Sequence, residues 1–362
     1  MEKIAIIIPA YEPDERLVHL LLELDAKEMG PVILVNDGSV GADYDSIFEE
    51  SKRIIEKRGG CLLEHDINRG KGRALKTAFS YILNKRDDIV AAVTADSDGQ
   101  HSSSCIQKVM DAIQENEDAL VLGVRKFDLD GIPWKSRCGN TITVKVFKYV
   151  TGESVSDTQT GLRGIPRGYM QDLLDLKGER FEFEMRMLVD VVGKRKIIEV
   201  PIETIYDSKD NHQTHFDPFK DSARIYKVLG EKFLTFVISS LSSSVIDIVI
   251  FGICCFLLKA SMPVVYVAIS TAIARIISAT YNYLINYKIV FKSKENISMS
   301  AIKYILLAII QMSCSALLVT LLVTIFPIGL EVIFKIIVDV LLFFISYKIQ
   351  QKLVFQKIRN KT

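Results

Sequence analysis

The chain has 362 residues, which is enough for two domains, and its formal net charge is +1. This balance gives no support for a nucleic-acid-binding class, which typically carries a large basic excess. Hydrophobic residues make up 49% of the chain and the mean hydropathy is +0.23. Charged residues are frequent up to about residue 230, and long apolar runs follow. The six cysteines show no metal-type spacing, which indicates reduced, packed thiols.

Strands and helices are predicted to alternate through the first part of the chain. Buried strands are predicted at Lys3–Ala10, Val32–Val35, Cys61–Leu63, Ile89–Ala95, Ala119–Val124 and Val200–Ile202. Helical spacing of apolar residues, beginning with Leu17, Leu20, Leu21 and Leu24, fills most of the intervals. This order predicts an α/β fold with a doubly wound, mostly parallel sheet.

Four polar clusters each follow a predicted strand: Tyr11-Glu12, Asp37, Asn68 to Lys71, and Asp96 with Asp98. In an open α/β sheet, ligands bind outside the carboxyl ends of the strands. Paired carboxylates are hard oxygen ligands for Mg²⁺ or Mn²⁺, which usually share them with substrate phosphates. A lone Asp-x-Asp is as readily a polar turn, but four clusters at one edge favour a nucleotide-diphosphate site.

The motifs in these clusters resemble those of inverting glycosyltransferases of family 2, which have the GT-A fold. The stretches that carry the resemblance are Ile8-Pro9-Ala10-Tyr11-Glu12, Val35-Asn36-Asp37-Gly38-Ser39, Asn68-Arg69-Gly70-Lys71-Gly72, Asp96-Ser97-Asp98-Gly99-Gln100-His101 and Asp157-Thr158-Gln159-Thr160-Gly161-Leu162-Arg163. Within that family the chain is most similar to polyprenyl-phosphate hexose synthases, such as dolichol-phosphate mannose synthase.

The resemblance implies a set of site residues. Residues implied to bind the nucleotide sugar are Pro9, Tyr11, Glu12, Asp37, Lys71 and Asp96. Residues implied to surround the metal are Asp96, Asp98 and Gln100. Catalytic roles are implied for Asp96, Asp98, Arg125, Arg137 and Asp157. Acceptor contacts are implied for Arg137, Gln159, Thr160 and Arg163.

Other interpretations stay open for several of these side chains. The arginines are as readily solvated surface charges. Glu182 and Glu184 either lie near the sugar or cap a helix. His212 and His215 are expected in a substrate-covering loop rather than at a metal.

Apolar segments dominate the last third of the chain. Four of them, at about Phe233–Leu258, Val264–Tyr287, Ile302–Phe326 and Ile328–Tyr347, are long enough to cross a hydrocarbon core of about 30 Å. Lysines cluster in the second connection and at the C-terminus, so the positive-inside rule places both termini and the catalytic domain in the cytoplasm. Asp247 with Arg275, and Lys335 with Asp339, are expected to form ion pairs within these spans, and a role in guiding a lipid phosphate stays open. The stretch from Asn282 to Phe291 resembles the GtrA-like membrane domain.

The predicted organisation has three parts. Residues 1–216 form the cytoplasmic GT-A domain, residues 217–232 an amphipathic, basic interfacial helix, and residues 233–362 a GtrA-like domain with four transmembrane helices. We expect a multi-pass protein of the cell membrane. The sequence does not exclude a homo-oligomer.

The expected reaction is inverting transfer of a hexose from a nucleotide-diphosphate sugar, of the UDP-glucose or GDP-mannose type, to a polyprenyl phosphate, with Mg²⁺ or Mn²⁺ as cofactor. One alternative is transfer to a hydroxyl acceptor in cell-envelope polysaccharide synthesis, which needs a general base, with Asp157 as the candidate. Another is a carrier that moves a lipid-linked sugar.

Overall fold

A computed structural model describes residues 3–125, 134–203, 220–291, 293, 295–326 and 330–355. The chain divides into two compact units, Met1–Leu229 and Gly230–Thr362. The predicted loop with His212 and His215 lies outside the described residues.

Unit 1 is built on a seven-stranded sheet with the order β3-β2-β1-β4-β6-β5-β7. The strands are β1 (Lys3–Ala10), β2 (Val32–Asn36), β3 (Cys61–Glu64), β4 (Ile89–Thr94), β5 (Leu120–Arg125), β6 (Arg163–Pro166) and β7 (Ile197–Ile202). All neighbouring pairs are parallel except those made by β6, which runs antiparallel between β4 and β5. The sheet is thus the mostly parallel GT-A type that the sequence predicts.

Helices connect the strands of unit 1 on both faces of the sheet. They are α1 (Glu15–Ala26), α2 (Ala42–Glu56), α3 (Lys71–Lys85), α4 (Ser103–Glu115), α5 (Trp134–Thr151), α6 (Arg167–Leu174) and α7 (Glu182–Val191). Alternate residues of β1 point to opposite faces: Ile7 joins one core cluster and Ile8 the other, each fully buried. The carboxyl ends of β1, β2, β3, β4 and β5 therefore share one edge, where their loops meet.

The long helix α8 (Lys220–Leu258) begins in unit 1. Ile225, Val228 and Leu229 on its first turns are buried in the core cluster under the sheet. These three residues belong to the segment 217–232, which the sequence predicts to be an amphipathic interfacial helix. An amphipathic pattern is equally satisfied by a protein core, and here the apolar side packs against unit 1 instead of being left for a membrane surface.

Unit 2 is helical and consists of the rest of α8 with α9 (Tyr266–Ile285), α10 (Ile297–Ile325) and α11 (Glu331–Ile349). Helices thus occur at all four predicted apolar segments. By length and composition, two described helices, α8 and α10, are long and apolar enough to cross a membrane. Arg275 Nη2 lies 3.5 Å from Asp247 Oδ2, and Lys335 Nζ lies 2.8 Å from Asp339 Oδ2, so both predicted ion pairs form.

Unit 2 contains two similar halves, one made of α8 and α9 and the other made of α10 and α11. Helix α9 runs into a π-helical segment, Asn286–Val290, and α11 runs into a second one, Gln350–Val354. Each segment is followed by a phenylalanine whose N–H donates to the first carbonyl of the segment at 2.9 Å. Matching residues of the halves contact each other: the Asn286 amide donates to Gln350 Oε1 at 3.1 Å, and the rings of Phe291 and Phe355 stack with centroids 5.0 Å apart.

Candidate active site

The site is formed where the loops after β1, β2, β3 and β4 meet the segment 157–162. Two threonine hydroxyls fix that segment: Thr94 Oγ1 donates to the Gly161 carbonyl at 2.7 Å, and Thr160 Oγ1 donates to the Gly123 carbonyl at 2.6 Å. The segment leads directly into β6. The antiparallel strand therefore brings Asp157 and Gly161 to the edge of the sheet at which Asp96 follows β4.

Asp96 lies at the centre of an ion-pair cluster. Lys71 Nζ lies 2.6 Å from Asp96 Oδ1 and 3.1 Å from Glu184 Oε1. His101 Nε2 lies 3.7 Å from the second oxygen of Asp96. The backbone of Gly161 packs so closely on this carboxylate that a Cβ atom at position 161 would overlap it. The cluster fixes the orientation of Asp96 from three sides.

The cluster sets the charge of its members. Burial opposes ionisation of Lys71, but Asp96 and Glu184 raise the pKa of the ammonium group above its ordinary value. Burial likewise opposes ionisation of Asp96, yet Lys71 and His101 hold the pKa of that carboxyl well below its usual range. Burial and the neighbouring Asp96 charge raise the pKa of Asp98. The two aspartates of the motif therefore differ, since the pKa of Asp96 is lowered and that of Asp98 is raised.

The glycines beside Lys71 have a packing role. A Cβ atom at Gly72 would lie 2.6 Å from Phe183 Cβ, and one at Gly70 would meet the Glu179 backbone. The Gly-Lys-Gly stretch therefore lies flat on the segment before α7, which brings Lys71 to Glu184. Of the two open interpretations for the acidic pair, Glu182 caps the segment by accepting from the Glu179 N–H at 3.1 Å, whereas Glu184 reaches the site.

Asp37 links three loops. Its Oδ1 accepts from the Arg69 N–H at 2.9 Å and contacts His65 Nδ1 at 2.7 Å, and its Oδ2 accepts from the Gly70 N–H at 2.7 Å. In the same turn, Ser39 Oγ accepts from the Glu12 N–H at 2.8 Å. Glu12 has a φ of 47°, in the left-handed region, so this hydrogen bond helps hold an unfavourable backbone. A hydrogen bond between the side chains of Tyr11 and Glu12, together with burial, raises the pKa of Tyr11.

Arg125 and Asp157 form a two-point ion pair. Arg125 Nε donates to Asp157 Oδ2 at 2.6 Å, and Nη2 donates to Oδ1 at 3.0 Å. The Gln159 N–H also donates to Oδ1, and the Asp157 side chain is fully buried. Asp157 therefore fixes the end of β5 to the segment 157–162.

Three predicted contact residues are buried away from the surface. Arg163 is 1% exposed, and its guanidinium donates to the carbonyls of Thr160 at 2.9 Å and Glu184 at 2.7 Å. Thr160 is also buried, with its hydroxyl bonded to Gly123, and Pro9 is buried inside β1. Direct substrate contact by these three side chains stays a prediction, and in the structure each of them is enclosed by protein. Gln159 and Arg137 are exposed.

The donor set fits a hard divalent cation. Asp96 and Asp98 supply carboxylate oxygens, and the Gln100 N–H orients Asp98 by donating to its Oδ1 at 3.0 Å. Burial and the neighbouring Asp96 charge raise the pKa of Asp98, and a cation between the two carboxylates would oppose both effects. Within the described ranges, no group of three or more His, Cys, Asp or Glu side chains is arranged to hold a metal ion. A bound Mg²⁺ or Mn²⁺ would therefore need oxygens from the substrate or water as well.

Comparison with known proteins assigns both parts of the chain. Residues 5–174 match the family described as Glycosyl transferase family 2, and residues 224–355 match the GtrA/DPMS transmembrane domain. The first part of the chain is a family 2 glycosyltransferase domain, and the last part is a GtrA/DPMS transmembrane domain. This confirms the resemblance on which the sequence analysis relied.

Several known proteins are similar to the glycosyltransferase part of the chain. A UDP-N-acetylglucosamine–dolichyl-phosphate N-acetylglucosaminyltransferase of Methanococcus voltae is 29% identical over 217 residues, which is 56% of this chain and 86% of the relative. A dolichyl-phosphate hexose transferase of Haloferax volcanii is 23% identical and covers 62% of this chain and 92% of its own. Among solved structures, mannosyl-3-phosphoglycerate synthase from Rubrobacter xylanophilus aligns with a TM-score of 0.44 at 13% identity, over 64% of this chain and 72% of that one.

The sequence does not predict three residues that contact the site aspartates, namely His65, His101 and Gly161. His101 lies in one of the motifs but has no predicted role, and no motif contains His65. Gly161 was visible only as one letter of a motif. The sequence feature that could indicate its role is a glycine four residues after Asp157. The structure shows why a glycine is needed there, since the backbone lies against the Asp96 carboxylate. No local pattern distinguishes His65 from any other strand-end histidine.

Proposed function

We propose that this glycosyltransferase transfers a hexose or an amino sugar from a nucleotide-diphosphate sugar to a polyprenyl phosphate of the dolichyl type at the cytoplasmic face of a membrane. The observation that carries the proposal is the joining, in one chain, of the Asp96–Lys71–Glu184 cluster to a GtrA/DPMS transmembrane domain. The named relatives, which act on dolichyl phosphate, support the lipid acceptor.

The donor end of the site is formed by the loops tied together at Asp37. Asp37, Lys71 and the Tyr11-Glu12 loop would bind the nucleotide, with Lys71 held by the Asp96 carboxylate that follows β4. Asp96 and Asp98, with Gln100, would hold Mg²⁺ or Mn²⁺. When bound, the cation would stabilise the negative charge that develops on the leaving diphosphate.

The acceptor end needs positive charge more than a base. A phosphate monoester is already anionic near pH 7, so its oxygen can attack the anomeric carbon without giving up a proton to the protein. Asp157 fits this chemistry, because both of its oxygens accept hydrogen bonds from Arg125 and its Oδ1 also accepts one from the Gln159 N–H. Its proposed role is to position Arg125. Exposed Arg137 and Gln159 are the candidates for acceptor contact.

The membrane placement is part of the proposal. Residues 1–216 would lie in the cytoplasm, and four helices of residues 233–362 would span the bilayer and present the lipid phosphate at headgroup level. The lysines near the ends of α9 and α11, such as Lys288 and Lys352, favour a cytoplasmic location for those ends.

A donor screen on membranes containing the full chain tests the reaction. UDP-glucose, GDP-mannose and UDP-N-acetylglucosamine, each radiolabelled in the sugar, are incubated with polyprenyl phosphate and Mn²⁺ or Mg²⁺. We expect label from one donor to enter the organic phase and to be released by mild acid. Asp98→Ala should abolish the transfer, while Asp45→Ala, which removes an exposed carboxylate at the start of α2, should leave it intact.

Two results would contradict the proposal. Label that enters a water-soluble polymer and not the organic phase would favour the hydroxyl-acceptor reaction. Transfer that persists in EDTA, or in Asp98→Ala, would contradict the metal role given to the Asp96–Asp98 pair.

A further inference from the structure

His65 lies directly behind Asp37. It immediately follows β3 and continues the strand ladder, since its N–H donates to the Asn36 carbonyl at 2.9 Å. Its Nδ1 contacts Asp37 Oδ1 at 2.7 Å, and its Nε2 contacts Thr77 Oγ1 on α3 at 2.9 Å. The His65 side chain is only 6% exposed. The imidazole therefore bridges the carboxylate and the helix that begins at Lys71.

The contacts of the ring fix its chemistry. An ionised carboxylate accepts hydrogen bonds only, so Nδ1 must carry the proton that is donated to Asp37. In the neutral ring Nε2 then accepts from the Thr77 hydroxyl. Asp37 thus accepts hydrogen bonds from the His65 ring and from the N–H groups of Arg69 and Gly70.

The N–H groups of Arg69 and Gly70 belong to the loop that places Lys71. If Asp37 rotated, both N–H groups would lose their acceptor, and the start of α3 would lose its tie to β2. Hydrogen bonds between a buried carboxylate and its donors are among the stronger ones in proteins. The orientation of Asp37 is therefore coupled to the position of Lys71 through the loop.

We propose that His65 is a positioning residue for the donor nucleotide, which acts by holding Asp37 and, through it, the loop from Asn68 to Lys71. The inference rests on the proposed function, since it assigns this loop to the donor. It adds that donor affinity depends on an imidazole that does not touch the donor. The affinity for the lipid acceptor should not change when His65 is replaced.

Two near-isosteric substitutions separate the two ring contacts. The amide nitrogen of asparagine takes the place of Nδ1, and that of glutamine takes the place of Nε2. His65→Asn should keep donation to Asp37 and bind nucleotide within about threefold of wild type. His65→Gln, which reaches Thr77 but not Asp37, should lower the affinity about tenfold to a hundredfold, and His65→Ala at least as much. His19→Asn on the exposed face of α1 is the matched control.

The measurement is calorimetric titration of the full-length protein in detergent with UDP and with GDP, each with Mn²⁺, combined with Tm and with KM for donor and for lipid acceptor. We expect the donor KM to rise in His65→Gln while the acceptor KM stays constant, and His65→Asn to restore the donor KM. Equal affinity in all His65 variants would overturn the proposal. So would losses that follow Tm alone, with Asn and Gln indistinguishable.

These outcomes are distinguishable from failure of the proposed function. If wild type transfers no sugar to a lipid but binds nucleotide, the order of nucleotide affinities among the His65 variants still tests the positioning role. If wild type is active and the variants match it, the positioning role is wrong and the reaction stands.

Discussion

Gly161 limits the space beside Asp96, and this limit can be tested with one methyl group. The missing side chain lets the backbone pass against the Asp96 carboxylate, where a Cβ atom would overlap it. Gly161→Ala should displace Asp96 from Lys71 and lower kcat by about a hundredfold or more, because a displacement of about 1 Å costs that much in a positioned site. Gly139→Ala is the matched control, since a Cβ atom at position 139 meets nothing within 4 Å. Wild-type turnover in Gly161→Ala would contradict the close approach.

Lys71 balances two carboxylates, so its removal should cost both stability and activity. In Lys71→Met, Asp96 and Glu184 would face each other without the ammonium between them. Breaking a buried ion pair from one side typically costs about 3–5 kcal/mol, which corresponds to a Tm lower by roughly 5–10 °C. Thermal unfolding and turnover are compared with Lys108→Met, which removes an exposed lysine on α4. If the two variants have the same Tm, Lys71 does not stabilise the fold by balancing the charges of Asp96 and Glu184.

The sequence predicts which side chains gather at this site better than it predicts what they touch. Asp96, Asp98 and Lys71 follow strands that share one edge, so strand order alone places them together. Arg163 occurs in an equally specific motif, yet β6 carries it into the protein interior. Whether a motif arginine faces substrate or backbone carbonyls depends on the position of its strand in the sheet, which local spacing does not encode.

At the scale of elements, β6 is the feature that the pattern of alternating strands and helices does not reveal. The strand is four residues long, Arg163–Pro166, and its hydrogen bonds go to β4 and β5, which are distant in sequence. The other strands are apolar runs that follow or precede a helix and are therefore predictable. Insertion of β6 places the segment 157–162 between the ends of β4 and β5, so the proposed acceptor side depends on strand pairing between distant parts of the chain.

The Arg125–Asp157 pair joins β5 to that segment, and Asp157→Asn tests its role. A positioning role predicts a lower Tm and a kcat reduced by about tenfold or less, with the shape of the pH–rate profile unchanged. A general base would be worth about 10²–10⁴ in kcat, and its loss would remove the acidic limb of the profile. Steady-state rates at several pH values distinguish the two, with Arg125→Lys as a variant that keeps the charge but not the two-point contact.

At the scale of the whole molecule, the two units differ in how far sequence predicts them. Apolar length alone locates the helices of unit 2, because a membrane selects for composition. Their packing depends on individual polar and aromatic contacts between the halves. Phe236 contacts Phe291 and Tyr347, and in the other half Tyr304 contacts Phe355 and Tyr283. Phe236 of the first half thus packs on Tyr347 of the second, and Tyr304 of the second half packs on Tyr283 of the first. This reciprocal arrangement is expected for two similar helix pairs that associate through the same surface.

The Asn286–Gln350 hydrogen bond lies where these halves meet, and a double-mutant cycle measures its contribution. The Asn286 side chain is fully buried and Gln350 is 6% exposed, so Asn286→Leu or Gln350→Leu alone removes this hydrogen bond from a buried amide, which keeps only its bond to Asn282 or Ser346. Each single change should cost about 1–3 kcal/mol, whereas the double change should cost less than the sum of the two, because it removes both polar groups together. Unfolding of the full-length protein in detergent gives the three values. Additive losses would mean that the two amides do not interact, and the halves would then be joined by their other contacts, such as the hydrogen bond between Tyr283 and Ser300 and the aromatic pairs.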